Sequence, residues 1–448
     1  MNGSRPRVRA RSGSGRSIDV SIEDLEGRDV VLVRSGGQER RGALGHDDGA
    51  EIAAAAARAL DQRVPLVLEL SSSGADVNEG IDALHGWGSA AAAIVRASGT
   101  VPVLAALKGP VLAGPSLLLG LCDAVVMGPQ AVAFVSGPSM VAQFTGVEID
   151  LEALGGVDVH SRASGISAIE ADDPLIAVSS LLDYLPSHAD EVPPFRSTTD
   201  PQERLAPELA RIVPERDNAS YDVREVVAVI ADDSDFLELW GRWAPQVVTG
   251  LSHIAGYAVG VVANQPRSLA GTLDIAASQK AARFVRFCDA FNLPIITLVD
   301  TPGFLPGKDL EWRGMIRHGA ELVFAYAEAT VPRISVVLRK ATGGAYIVMD
   351  SKGLGSTLCV AWPSAQPAVM GAKPAVGILH RKATDDERLA LEADYERRFL
   401  VPWEAAERGY LDMVIEPAET RMILARALNS LSSARERLVA RKHAAGPM

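Results

Sequence analysis

The sequence predicts an α/β protein built from two tandem copies of one unit, each a mostly parallel sheet with helical crossovers. Three observations point there. At 448 residues the chain is too long for one ordinary domain, and 48% hydrophobic residues supply a core for each half. Its strand-like runs are short, apolar and separated by helix-like stretches, the pattern of sheets covered on both faces. A set of landmarks also recurs at a nearly constant separation, the mark of an internal repeat.

The first landmark pair is Arg63-Val-Pro-Leu-Val-Leu-Glu-Leu70 followed by Gly74, and Leu293-Pro-Ile-Ile-Thr-Leu-Val-Asp300 followed by Gly303. Pro65 and Pro294 are 229 residues apart, and each precedes its glycine by nine. Helix-like stretches, Glu51 to Gln62 and Gln279 to Phe291, come before them. The second pair is Thr100-Val-Pro102 and Thr330-Val-Pro332, each opening an apolar strand, with Gly114 and Gly344 fourteen residues beyond the threonine. Strand, glycine turn and helix thus repeat in register.

The expected layout is a disordered basic tail over residues 1–18, a first domain over 19–190, a polar proline-rich linker over 191–220 and a second domain over 221–448. The tail lacks the apolar segment of a secretory signal, and a transit peptide is the weaker alternative because no amphipathic pattern is present. A charged helix is expected at Asp385 to Arg398 and a final helix from about Pro417 to Arg441. A net charge of −12 argues against a nucleic-acid binder. No apolar run is long enough to span a bilayer. Cys122, Cys288 and Cys359 lie far apart in apolar surroundings and read as reduced core residues rather than metal ligands. No metal site is expected, and the composition fits a cytoplasmic enzyme.

The sequence carries no phosphate loop, metalloprotease helix or nucleophile elbow, and its eight histidines form no evident triad. The informative features are glycine turns. Arg339-Lys-Ala-Thr-Gly-Gly-Ala-Tyr346 follows an apolar strand and opens a helix, so successive N–H groups face one point with the helix dipole behind them. Such preorganised donors suit an oxyanion that develops during reaction. Gly343 and Gly344 also fit a plain tight turn, and this half alone leaves the two readings even. Asp300-Thr-Pro-Gly-Phe-Leu-Pro-Gly307 is a rigid loop at a strand's carboxyl end, where α/β sheets bind ligands. Lys280, Arg283 and Arg286 share a helical stripe, either a solvated face or a surface for an anion.

Several runs resemble one family: Ala281-Ala-Arg-Phe-Val-Arg-Phe-Cys-Asp-Ala-Phe-Asn292, Asp300 to Gly307, Arg339 to Tyr346, Val369-Met-Gly-Ala-Lys373 and Pro402-Trp-Glu-Ala-Ala-Glu-Arg-Gly-Tyr-Leu-Asp412. Together they resemble the β subunit of propionyl-CoA and acetyl-CoA carboxylases, biotin-dependent carboxyltransferases. The first half matches more weakly, through Ser73-Gly-Ala75, Glu79-Gly80, Gly109-Pro110, Gly137-Pro138 and Leu154-Gly-Gly156. The resemblance implies two crotonase-like domains per chain and a homo-oligomer, dimer to hexamer. It implies a separate biotin carboxylase and biotin carrier subunit as partner, and an acyl-CoA thioester as substrate. It further implies two oxyanion holes made of backbone amides. Gly344 and Ala345 are the implied pair facing biotin, and the turn at Ala113 and Gly114 the implied pair facing the acyl thioester. Gly343, Gly303 and Phe304 in the second half, with Gly74 and Ala75 in the first, are the implied cofactor-binding positions.

The first half departs from the family pattern. Its usual Ala-Gly-Gly-Ala run is here Leu112-Ala-Gly-Pro115, and proline has no N–H to donate. If residue 115 is a donor, that donor is lost; if Ala113 and Gly114 are the donors, the hole survives and Pro115 only starts a helix. A basic family residue is replaced by Asp76. Ile347 stands where the resemblance places an acyl-specificity residue, and its apolar side chain suggests an unusual or larger acyl group. The leading expectation is therefore a carboxyltransferase. A decarboxylase or transcarboxylase of a malonyl-type thioester, or a non-catalytic assembly subunit with a degenerate first domain, are the alternatives.

Overall fold

The structure, a computed structural model, describes residues 17–35, 39–214, 216, 218–441 and 443–447. The tail expected over residues 1–18 lies almost wholly outside the described residues. The chain forms two compact units. One comprises the chain up to Val192 with Trp240–Trp243, the other Pro193–Leu239 with Ala244 onward.

The first unit's sheet contains β1 (Ile18–Leu25), β2 (Arg28–Ser35), β3 (Leu66–Ser72), β4 (Val103–Leu112), β5 (Ala124–Met127), β6 (Val132–Phe134) and β7 (Ile169–Glu170). The order is β1-β2-β3-β4-β5-β7, with β6 added to the far end of β4. Only the β1–β2 hairpin is antiparallel. The second unit's sheet contains β8 (Phe236–Leu239), β9 (Val247–Ile254), β10 (Tyr257–Asn264), β11 (Ile295–Thr301), β12 (Arg333–Thr342), β13 (Leu358–Ala361), β14 (Gln366–Ala368) and β15 (Met413–Val414). Its order is β15-β13-β12-β11-β10-β9-β8, with β14 added to β12. β9 to β15 repeat β1 to β7, and β8 is the addition.

The repeat extends to individual hydrogen bonds. Leu44 N–H donates to Gly74 O and Asp76 N–H to Leu44 O; in the second unit Leu273 N–H donates to Gly303 O and Leu305 N–H to Leu273 O. The same irregularity interrupts β3–β4 pairing between Leu70 and Ser72 and β11–β12 pairing between Val299 and Thr301. The left-handed residues recur as well, Arg63 with Asn292 and Gly42 with Gly271. A Cβ on Gly42 would lie 2.5 Å from Ser71 O, and one on Gly271 2.6 Å from Asp300 O, so the close approach demands glycine at both.

Each sheet is apolar because helices cover it. The His46–Gln62 helix turns Ile52, Ala55, Ala56 and Ala59 inward and packs on Ile81–Ala97 through a Gly49–Gly86 contact too close for any side chain. The Ile275–Ala290 helix starts at Asp274, whose carboxylate caps the Ala277 N–H. The central strands β9, β10 and β11 are buried on both faces except Tyr257, as parallel-type sheets require.

Three expectations change. The segment expected as a linker, 191–220, is packed: Ala206 and Leu209 are fully buried in the second unit's core, and Ala206 N–H donates to Ala418 O. Its prolines mark an irregular path, not a free one. The last helix is Thr420–Leu431, ending ten residues short of Arg441. The Lys280 stripe is divided by burial, with Lys280 fully buried while Arg283 and Arg286 are exposed.

Candidate active site

In the second unit β12 ends at Thr342, and Gly343 turns the chain at φ +63° into the short Gly343–Val348 helix. A Cβ on Gly343 would sit 3.2 Å from Val369 O, so the turn selects glycine for both its backbone angle and its space. The Gly344 and Ala345 N–H groups lie in the first helical turn, where no intrahelical acceptor exists. Ala345 is fully buried and Ile347 is 46% exposed.

The Asp300–Gly307 loop meets this turn. β11 delivers it, and the Leu273 bonds to Gly303 O and from Leu305 N–H pin it. Gly303 takes φ +146° with open space where a side chain would start. The Phe304 ring lies 3.6 Å from the Cβ position of Gly344 and 3.5 Å from that of Gly319. Gly303, Phe304, Gly343, Gly344 and Ala345, selected from sequence, are thus one cluster.

In the first unit β4 leads through Ala113, at φ +59°, into the 3₁₀ helix Gly114–Leu121. Leu112 pairs with Phe134 as Thr342 pairs with Ala368. That register equates Ala113, Gly114 and Pro115 with Gly343, Gly344 and Ala345. Gly74 and Ala75 lie at this turn, the Cβ position of Gly74 being 3.2 Å from Ala113 Cβ.

The register bears directly on Pro115. The Ala113 N–H donates to Phe134 O at 2.9 Å, so it belongs to the sheet edge and is not free to serve as an oxyanion donor. Pro115 stands where the second unit has Ala345 and has no N–H. Of the expected pair, Ala113 thus gives its N–H to the sheet, and Gly114 opens the 3₁₀ helix. Trp87 closes against this turn, its ring 3.1 Å from the Cβ position of Gly114.

Asp76 does not face outward. It is 2% exposed, and its Oδ1 accepts from the backbone and side-chain nitrogens of Asn78, both at 2.9 Å. Lys280 turns inward rather than to solvent; its Nζ donates to Val247 O at 2.6 Å, and burial pushes its pKa down to about 7. Tyr221, which sequence reasoning passed over, and Asn264 join Asp300 and Arg339 in a buried polar network behind the second turn. The paired Asp300 and Arg339, in the carboxyl-terminal halves of β11 and β12, were visible as residues, but nothing local marked Tyr221. Among the described residues no group of three or more His, Cys, Asp or Glu is arranged to hold a metal, and no helix is long and apolar enough to cross a membrane.

A family model described as the carboxyl transferase domain matches residues 14–445. The chain is 44% identical over 391 residues to the propionyl-CoA carboxylase β chain of Roseobacter denitrificans, covering 86% of this chain and 77% of that protein. It is 38% identical to the methylmalonyl-CoA decarboxylase α subunit of Veillonella parvula, covering 97% and 86%. Among solved structures it is similar to transcarboxylase 12S, described as a hexamer with methylmalonyl-coenzyme A and methylmalonic acid bound. The TM-score is 0.94 at 39% identity, covering 96% of this chain and 85% of that one.

Proposed function

This chain belongs to the carboxyl transferase domain family, the family of biotin-dependent acyl-CoA carboxyltransferases, and on that premise we propose that it moves a carboxyl group between carrier-borne biotin and the α-carbon of an acyl-CoA. The observation that carries the proposal is the repeated strand–turn–helix, with its amides ahead of a helix at Gly344 and Ala345. Biotin, when bound, supplies the carboxyl group and accepts the α-proton. The chain's part is electrostatic. The Gly344 and Ala345 N–H groups, with the Phe304 ring 3.6 Å from the Cβ position of Gly344, would hold the ureido oxygen of biotin and stabilise negative charge there. Gly114 N–H stabilises the thioester oxygen as the α-carbon becomes an enolate. Fixed donors cost no reorganisation when the charge develops.

The relative at 44% identity is named for propionyl-CoA. That favours a short acyl group over the larger one expected from Ile347, whose exposed apolar side chain then contacts a small alkyl group. Partners follow from the same reading: a biotin carboxylase and biotin carrier subunit, and further copies of this chain. The reverse direction is the second reading, favoured by the similarity to a decarboxylase subunit and to transcarboxylase 12S.

The test is carboxyl transfer by the purified chain from methylmalonyl-CoA to biotin methyl ester, and from a carboxylated carrier to acetyl-, propionyl- and longer acyl-CoAs. Transfer greatest with propionyl-CoA is expected. Assembly without transfer to any thioester sinks the enzyme reading and leaves the assembly subunit.

A further inference from the structure

We propose that Asp300 is a positioning residue that holds the amides of Gly344 and Ala345 in place for biotin, acting through Arg339, Lys340 and Tyr221. The proposal rests on the functional reading above. Asp300 is the next-to-last residue of β11 and is 1% exposed. Its Oδ1 accepts the Lys340 N–H at 3.1 Å, and its Oδ2 accepts the Tyr221 hydroxyl at 2.9 Å and Arg339 Nε at 3.2 Å. Its own N–H donates to Asn264 Oδ1 at 3.1 Å. Arg339, equally buried, spends Nη1 on the carbonyls of Pro214, Arg216 and Ala219 at 3.2, 3.0 and 3.0 Å. One carboxylate therefore ties the base of the Gly303–Phe304 loop, three residues on, to the strand that enters the Gly343 turn, three residues beyond Lys340.

The internal repeat separates this role from folding. The first unit forms the same strands, the same irregularity and the same left-handed turn with Ser71 in place of Asp300 and Gly109 in place of Arg339. Ser71 Oγ lies 2.9 Å from the Cβ position of Gly109, so a small neutral pair fills the site. A buried ion pair carries a desolvation cost that such a pair avoids, so the fold alone gives no reason to keep one. It stands behind the turn that retains two amide donors, where a misplacement near 1 Å costs about 10²-fold in rate.

The variants are Asp300→Asn, Tyr221→Phe, and the double variant Asp300→Ser with Arg339→Gly, which copies the first unit. The probes are biotin methyl ester with methylmalonyl-CoA, and amide hydrogen exchange. Asp300→Asn is expected to speed exchange in the peptide spanning 339–348 and leave 110–121 unchanged. It should lower kcat/KM for biotin methyl ester by about 10²-fold while the KM for the acyl-CoA moves less than about twofold. Tyr221→Phe keeps the ion pair and should lose about tenfold or less. The double variant should melt cooperatively and remain impaired toward biotin methyl ester. Wild-type exchange at 339–348 in Asp300→Asn overturns the proposal, as does a double variant that turns over like the parent. A loss shared equally by both substrates, with exchange raised everywhere, also overturns it by showing a structural role. A parent chain inactive with every thioester defeats the functional reading instead, and the exchange result then still decides whether Asp300 orders the turn.

Discussion

The substitution Pro115→Ala should make the enzyme faster. In the first unit's turn the Ala113 N–H is committed to Phe134 O at 2.9 Å and Pro115 has no N–H, which leaves Gly114 as the single amide of the expected pair. An alanine at this position adds the missing donor in the register that Ala345 occupies in the second unit. One oxyanion donor is worth about 10²–10³ in kcat, roughly 2.7–4 kcal/mol. The opposing effect is small: losing proline's restriction of the unfolded chain costs about 0.4–1 kcal/mol of stability. The expected result is therefore a slightly lower melting temperature with kcat raised by about 10²-fold. The acyl-CoA KM should change little, because the donor acts mainly on charge that develops in the transition state. The assay is initial-rate carboxyl transfer from methylmalonyl-CoA to biotin methyl ester with both at saturation. A kcat within about twofold of the parent refutes the reasoning, since the amide of residue 115 then does not face the oxyanion.

The converse change, Ala345→Pro, gives the second turn the first turn's natural residue and should lower kcat by about 10²–10³, read in the same assay. Arg333→Met should destabilise the chain by about 3–5 kcal/mol at pH 8 in denaturant unfolding, because it strands the fully buried Asp350 carboxylate now 2.6 Å from Arg333. Burial pushes the Asp350 pKa up to about 6 even beside Arg333, and losing Arg333 raises it further, so the deficit should shrink as pH falls from 8 toward 6 and level off below 6, where the carboxyl is protonated in parent and variant alike. Lys280→Met addresses the opposite sign. With the folded pKa depressed to about 7, the parent gains stability as pH rises from 7 toward 10, by up to about 1.4 kcal/mol per unit, and the variant should lose that slope in denaturant unfolding across pH 7–10.

Much of the fold was legible because the repeat is written in residues with strict backbone duties. Gly74 and Gly303 hold left-handed angles, and Pro65 and Pro294 stand at the heads of β3 and β11. Such positions survive as landmarks when packing residues drift. The proline-rich stretch before residue 220 misled because proline reports an irregular backbone, not exposure; Leu209 within it is fully buried. Lys280 misled for a related reason. Helical spacing placed it with Arg283 and Arg286, but three residues advance a helix by less than a full turn, and the stripe crosses from the buried face to the exposed one.

By itself the sequence determined the two-unit α/β plan, the carboxyltransferase resemblance and the pair of glycine turns, since these rest on local backbone requirements and on motif order. It left the role of Pro115 open between two alternatives. Only the tertiary structure decided that Ala113 gives its N–H to Phe134 and that Pro115 stands in register with Ala345, because β4–β6 and β12–β14 pairing join segments about twenty residues apart. It likewise brought Tyr221 to Asp300 across 79 residues of chain, a contact made by burial and hydrogen bonding that no local pattern records.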